Sequence, residues 1–158
     1  VVSTVTVAAR ILKSLSGTSI VEQGGNYMQF LEMQAVSSQY LAAQPALIKR
    51  YVAAFAEAAQ YGRTHLDETT DILMQQQLKD SRREDVRTAV GLLNPDLRIS
   101  KVTLDALRAG GEFAVKIDVL KQVPSPEEMI VPQFLRDIRR ERPELFKDLA
   151  AIPRQLEV

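Results

Sequence analysis

Residues 36–61 read VSSQYLAAQPALIKRYVAAFAEAAQY, and the sharpest change of pattern in the chain falls there. An extended segment ends, a short helical piece breaks at Pro45, and a long alanine-rich amphipathic helix begins. The proline ring disfavours helical geometry at Gln44 yet suits the first turn of a new helix. From Pro45 on, Ile48, Tyr51, Val52, Phe55, Ala58 and Ala59 recur at helical spacing on one face. Lys49, Ala53, Glu57 and Gln60 occupy the other. The spacing predicts a core helix, with small Ala54, Ala56 and Ala58 allowing close packing beside Tyr51 and Phe55.

The front of the chain differs in kind. Residues 1–7, VVSTVTV, are rich in β-branched side chains and read as a strand. Residues 8–15 read as a short helix ended by Gly17, and 18–21 as a second strand. Residues 27–36, YMQFLEMQAV, have no purely polar face and read as a strand covered on both sides. No Gly or Pro interrupts them, so a helix is the other reading.

Everything after the opening stretch is patterned as helix. Thr64 with Asp67 resembles a capping box for a helix near 66–78 that carries Ile72, Leu73 and Leu78. Ser81 with Glu84 repeats the signal ahead of a stripe of Val86, Ala89, Val90 and Leu93, and Asn94-Pro95-Asp96 ends it. Ser100 can cap a helix with Leu104, Leu107, Gly111, Ala114 and Val115 on one side. Its central Gly110-Gly111 predicts a bend or a close approach of backbone. Ser125, with Glu128 three residues on, marks a fresh start. Two last helical pieces, around Phe134–Ile138 and Leu145–Leu149, are split at Pro143.

Composition removes several classes of function. Twenty basic residues balance twenty acidic ones, so no bulk charge draws the chain to nucleic acid or to an anionic membrane. No run approaches the ~18 apolar residues of a membrane span. Cysteine is absent, which removes disulfides, thiol nucleophiles and cysteine-ligated zinc. Val1 in place of Met, with no leader-like segment behind it, suggests a processed or shortened chain.

No catalytic or metal-binding set emerges. His65 is the sole histidine and reads as a surface loop residue, with no second histidine for a metal site. The pairs Asp67-Glu68, Glu84-Asp85 and Glu127-Glu128 fall in first helical turns, where the macrodipole accounts for them. The glycine pairs at 24–25 and 110–111 match no phosphate-binding loop. Arg82, Arg83 and Arg87, like Arg136, Arg139, Arg140 and Arg142, are interleaved with acids as on solvated helix faces. Neither a catalytic residue, a metal nor a cofactor is expected.

In order and spacing the segments resemble the C-terminal part of ABC-transporter solute-binding proteins of the nitrate/sulfonate/taurine class. The thiamine-pyrimidine proteins belong to the same superfamily. AVSSQYLAAQPALIKRYVAAFAEAAQY, then THLDETTDIL, then NPDLRISKVTLDALRAGGEFAVKIDVLKQVPSPEEMI and IVPQFL carry the likeness, which covers about residues 5–135. Val7-Ala8-Ala9 stands where the family has a Trp-Glu-Pro-like motif, and Asp118 where it often has a helix-ending glycine. No ligand-binding residue is therefore carried over.

The resemblance implies an α/β fold: a partial lobe of the type II periplasmic-binding-protein kind, with a small sheet followed by a mainly helical C-terminal half. Residues 1–36 would form the strand–helix–strand front of the binding lobe and 37–158 the helical region. The implied role is non-catalytic. It is an extracytoplasmic or periplasmic receptor that hands a small anionic or heteroaromatic solute to an ABC permease. Family members are about twice as long, so this chain alone is expected to bind solute weakly or not at all. Uncovered lobe surface would favour self-association. A helical protein-interaction module without ligand is the alternative. A pyrimidine synthase of the same superfamily is disfavoured by the lone histidine and missing cysteines.

Overall fold

Pro45 divides two helices, as its chemistry requires. In the computed structural model, which describes residues 33–93 and 95–156, α1 (Ser38–Ala43) is capped by Ser37. The Ser37 hydroxyl accepts the Tyr40 N–H at 3.2 Å. Gln44 leaves helical geometry at φ −134°, and α2 (Pro45–Thr64) starts on the proline. Then come α3 (Leu66–Gln76), α4 (Arg83–Gly91), α5 (Lys101–Lys116), α6 (Pro126–Met129) and α7 (Gln133–Glu141). Short 3-10 turns lie at Pro143–Phe146 and Arg154–Leu156.

The expected α/β lobe with a small sheet is corrected by this element order. Among the described residues the structure is helical, with no strand and no sheet. Residues 33–36, expected at the end of a strand, have no regular structure. The strand candidates 1–7 and 18–21, most of 27–36, and the helix candidate 8–15 lie outside the described residues. The physical reason lies in the pattern from Ser37 onward. Capping residues and prolines restart helices repeatedly there, and no period-two apolar run is left to make a strand.

Two compact units divide the described residues, with the boundary inside α2 after Phe55. In the unit Ala56–Asp96, α3 and α4 pack together around Leu78, Val86, Ala89 and Val90. Leu66, Leu73 and Met74 close over that cluster. The expected α4 stripe is thus buried except for Leu93, which lies past the helix end and is exposed. Thr70 is fully buried in α3, and its hydroxyl donates to the Leu66 carbonyl at 2.7 Å, so burial leaves no unpaired polar atom there.

Neither expected cap in this unit forms. Thr64 is still helical, and its hydroxyl donates back to the Gln60 carbonyl at 2.9 Å, so His65 takes the capping position without a side-chain bond. Arg82, not Ser81, precedes α4.

The second unit, 33–55 with 97–156, packs α6 on α5 and sets α7 against the 3-10 turn that follows it. Leu135, Ile138 and Leu145 are its buried apolar residues in that region. Ser100 caps α5 as expected, its N–H donating to the Thr103 hydroxyl at 3.3 Å. Lys49 of α2 reaches Glu141 of α7 at 2.6 Å.

Asp118 stands at φ 58° just beyond α5. Its N–H bonds the Val115 carbonyl at 3.0 Å, and the Val119 N–H bonds the Ala114 carbonyl at 2.9 Å. That pair of bonds is a Schellman cap with aspartate where glycine is usual.

The expected core face of α2 is also revised. Ala56 and Ala59 are buried, but Tyr51 and Phe55 are exposed and stack on each other at 6.2 Å. The Tyr51 hydroxyl donates to Gln34 at 3.0 Å. Small side chains take the buried side, and the two aromatics turn outward.

Candidate functional site

An open concavity lies on α5, within the second unit. Small residues at a four-residue spacing, Ala106, Gly110 and Ala114, leave a trough along the helix beside Leu107 and Gly111. Leu120, Pro124, Pro126 and Met129 form one side, and Met33 reaches it from far away in sequence. The groove holds about 340 Å³ and opens to solvent. Among the described residues its lining side chains are all apolar, so none of them could orient an anion or transfer a proton.

The apolar surface continues past the groove. Phe113 is 60% exposed and Ile117 51% exposed, four residues apart on one side of the helix end. Val119, Leu120 and Val123 follow, all exposed. Such a run of large apolar side chains marks an interaction surface more often than a solvated face. Periodicity could have flagged the Ala106–Gly110–Ala114 spacing. Met33, Leu120, Pro124, Pro126 and Met129 are brought to the groove by chain folding that the helical pattern of α5 does not reveal.

The arginines expected on solvated faces do more than decorate them. Arg87 of α4 bonds Asp67 of α3 at 2.7 Å, and Arg83 bonds Asp71 at 2.7 Å and Asp67 at 3.4 Å. These bonds tie α3 to α4 across their exposed rims. The Arg87 guanidinium, helped by Arg83, holds the Asp67 carboxyl below its usual range, and Arg83 does the same for Asp71. Arg82 grips the buried Asp85 with two bonds, at 3.0 and 2.9 Å.

The paired carboxylates do not converge. Asp67 and Asp85 are held by arginines as described. Glu127 accepts from Arg108 at 2.9 Å and from the Ser125 hydroxyl at 3.1 Å. Its own backbone N–H is the largest cause lowering its pKa, with Ser125 and Arg108 adding to it. Glu68 accepts the Tyr61 hydroxyl, and that bond raises the tyrosine pKa. His65 stacks flat on Tyr61 with ring centroids 4.4 Å apart, and its Nδ1 shares a hydrogen bond with the Thr64 hydroxyl at 2.7 Å. Among the described residues no cluster of three or more His, Cys, Asp or Glu is placed to hold a metal ion, and no helix is long and apolar enough to cross a membrane.

Comparison with protein-family models, with curated proteins and with solved structures finds no match to this chain.

Proposed function

We propose that the chain acts as a non-catalytic helical interaction module, binding another polypeptide surface through the C-terminal end of α5. The observation that carries this is the exposed apolar run of Phe113, Ile117, Val119, Leu120 and Val123, continuous in sequence with an open apolar groove. A groove without convergent polar groups suits apolar side chains of a partner better than a small polar solute. Methionines at the groove, Met33 and Met129, are flexible and can adapt to a partner's shape. Hydrogen–deuterium exchange at rising protein concentration tests the assignment. Protection confined to residues 113–129 is expected, and uniform protection or none would argue against it.

A second role, solute capture for an ABC importer, is favoured by one specific observation. The order of segments in the sequence follows that of the nitrate/sulfonate/taurine solute-binding class, and α2 begins on Pro45 where that order places a helix. In that role the protein is extracytoplasmic, its solute is small and anionic or heteroaromatic, and its partner is a permease. The apolar face of α5 then packs against the rest of the receptor. Calorimetry on the whole product of the gene with taurine, nitrate and a pyrimidine distinguishes the roles. Binding of one of them supports solute capture, and silence with all three removes it.

A further inference from the structure

The basic residues of α7 part company in an unexpected way. Arg140 bonds Asp137 at 2.7 Å, and Glu141 is taken by Lys49 at 2.6 Å. The acids that sequence would assign to Arg136 and Arg139 are therefore already committed. Arg136 and Arg139 lie three apart on α7, exposed, and line one small cleft whose other walls are Ile99, Pro132 and the buried Leu135. Among the described residues no carboxylate bonds either guanidinium.

Two like charges about one turn apart on a helix repel one another. The macrodipole offsets this for Arg139 in the last turn, but not for Arg136 nearer the start. An anion between them would offset it for both.

The size of the cleft selects the kind of anion. It holds about 20 Å³, room for little more than one water-sized group, whereas whole small molecules occupy sites of several hundred Å³. A carboxylate head fits only if the body that carries it stays outside. The apolar walls then favour an apolar neighbour beside the acid. We infer that Arg136 and Arg139 form a docking site for an acidic side chain flanked by an apolar residue on a partner polypeptide. Planar guanidinium groups suit this because each can give two parallel bonds to a carboxylate. The site depends on the interaction-module role but lies apart from the α5 face, so the two can fail separately.

Nuclear magnetic resonance of the arginine Nε–Hε groups, on the full chain, tests the site. The probes are the blocked peptide Leu-Glu-Glu-Leu, its amide counterpart Leu-Gln-Gln-Leu, and acetate. The acidic peptide is expected to shift the signals of Arg136 and Arg139, the amide peptide to leave them in place, and acetate to act only at higher concentration. Arg136→Gln and Arg139→Gln should each weaken the acidic peptide about tenfold, the usual loss for a bond to a charged group. Arg140→Gln, which removes a guanidinium already paired, should change nothing. Equal response to acidic and amide peptides, no response to either, or an equal loss in Arg140→Gln would overturn the inference.

Discussion

Gly111 of α5 faces Val123 so closely that a methyl group added at Gly111 would sit 3.0 Å from Val123 Cγ1. At Gly110, one residue earlier, nothing lies within 4 Å of the same addition. The glycine pair therefore splits into one position crowded by Val123 and Pro124 and one that is open. Gly110→Ala should stabilise the protein by about 1 kcal/mol through helix propensity alone. Gly111→Ala gains the same propensity but crowds Val123 and Pro124, which must shift by a few tenths of an ångström, so its net gain should be smaller than that of Gly110→Ala. Denaturant titrations of the two variants check the split. Equal shifts of the two midpoints would mean that the Gly111–Val123 approach is absent.

Asp118 offers a second contrast at the end of the same helix. Its positive φ is required by the Schellman bonds, and a left-handed conformation costs an ordinary L-residue about 1–2 kcal/mol. Aspartate tolerates the region better than alanine does. Asp118→Ala should therefore destabilise by about 1 kcal/mol, while Asp118→Gly should match or exceed the wild type. Thermal melts of the three proteins give the order directly, and alanine equal to aspartate would exclude a left-handed residue at Asp118.

The α3–α4 ladder predicts a response to acid. Asp67 and Asp71 have folded-state pKa values lowered from 3.8 by Arg87 and Arg83. The unfolded chain thus takes up protons at a higher pH than the folded one. Stability from the ladder is fully present above about 3.8 and is lost as pH falls through the lowered values. Melting midpoints should drop more steeply with acid in the wild type than in the Asp67→Asn, Asp71→Asn double variant. The side chains are exposed, so high salt should shrink the difference. Parallel acid profiles would show that the arginines do not hold these carboxyls.

Local chemistry read well wherever the cause was local. The proline at Pro45, the Ser100 cap, the Val86–Val90 stripe and the break at Pro143 are each decided by residues within a turn of one another, and each appears where expected. The α/β assignment went wrong because it was drawn from the front of the chain and from a resemblance, and the described residues supply no strand to carry it.

Finer details depended on tertiary choice. Tyr51 and Phe55 satisfy the same helical period as Ala56 and Ala59 within one residue, and packing selected the small pair for burial. Thr64 could cap α3 or extend α2, and α2 won. The groove on α5 and the cleft on α7 join residues distant in sequence, so only part of each lining was visible in a helical pattern.

Light scattering across a wide concentration range shows whether the apolar end of α5 is a surface for polypeptide contact. The chain without its partner should show a mass that rises with concentration. A Phe113→Glu, Ile117→Glu variant with unchanged helical content should remain at the mass of one chain. A wild type that stays strictly monomeric at high concentration, or a variant that associates equally well, would contradict the assignment.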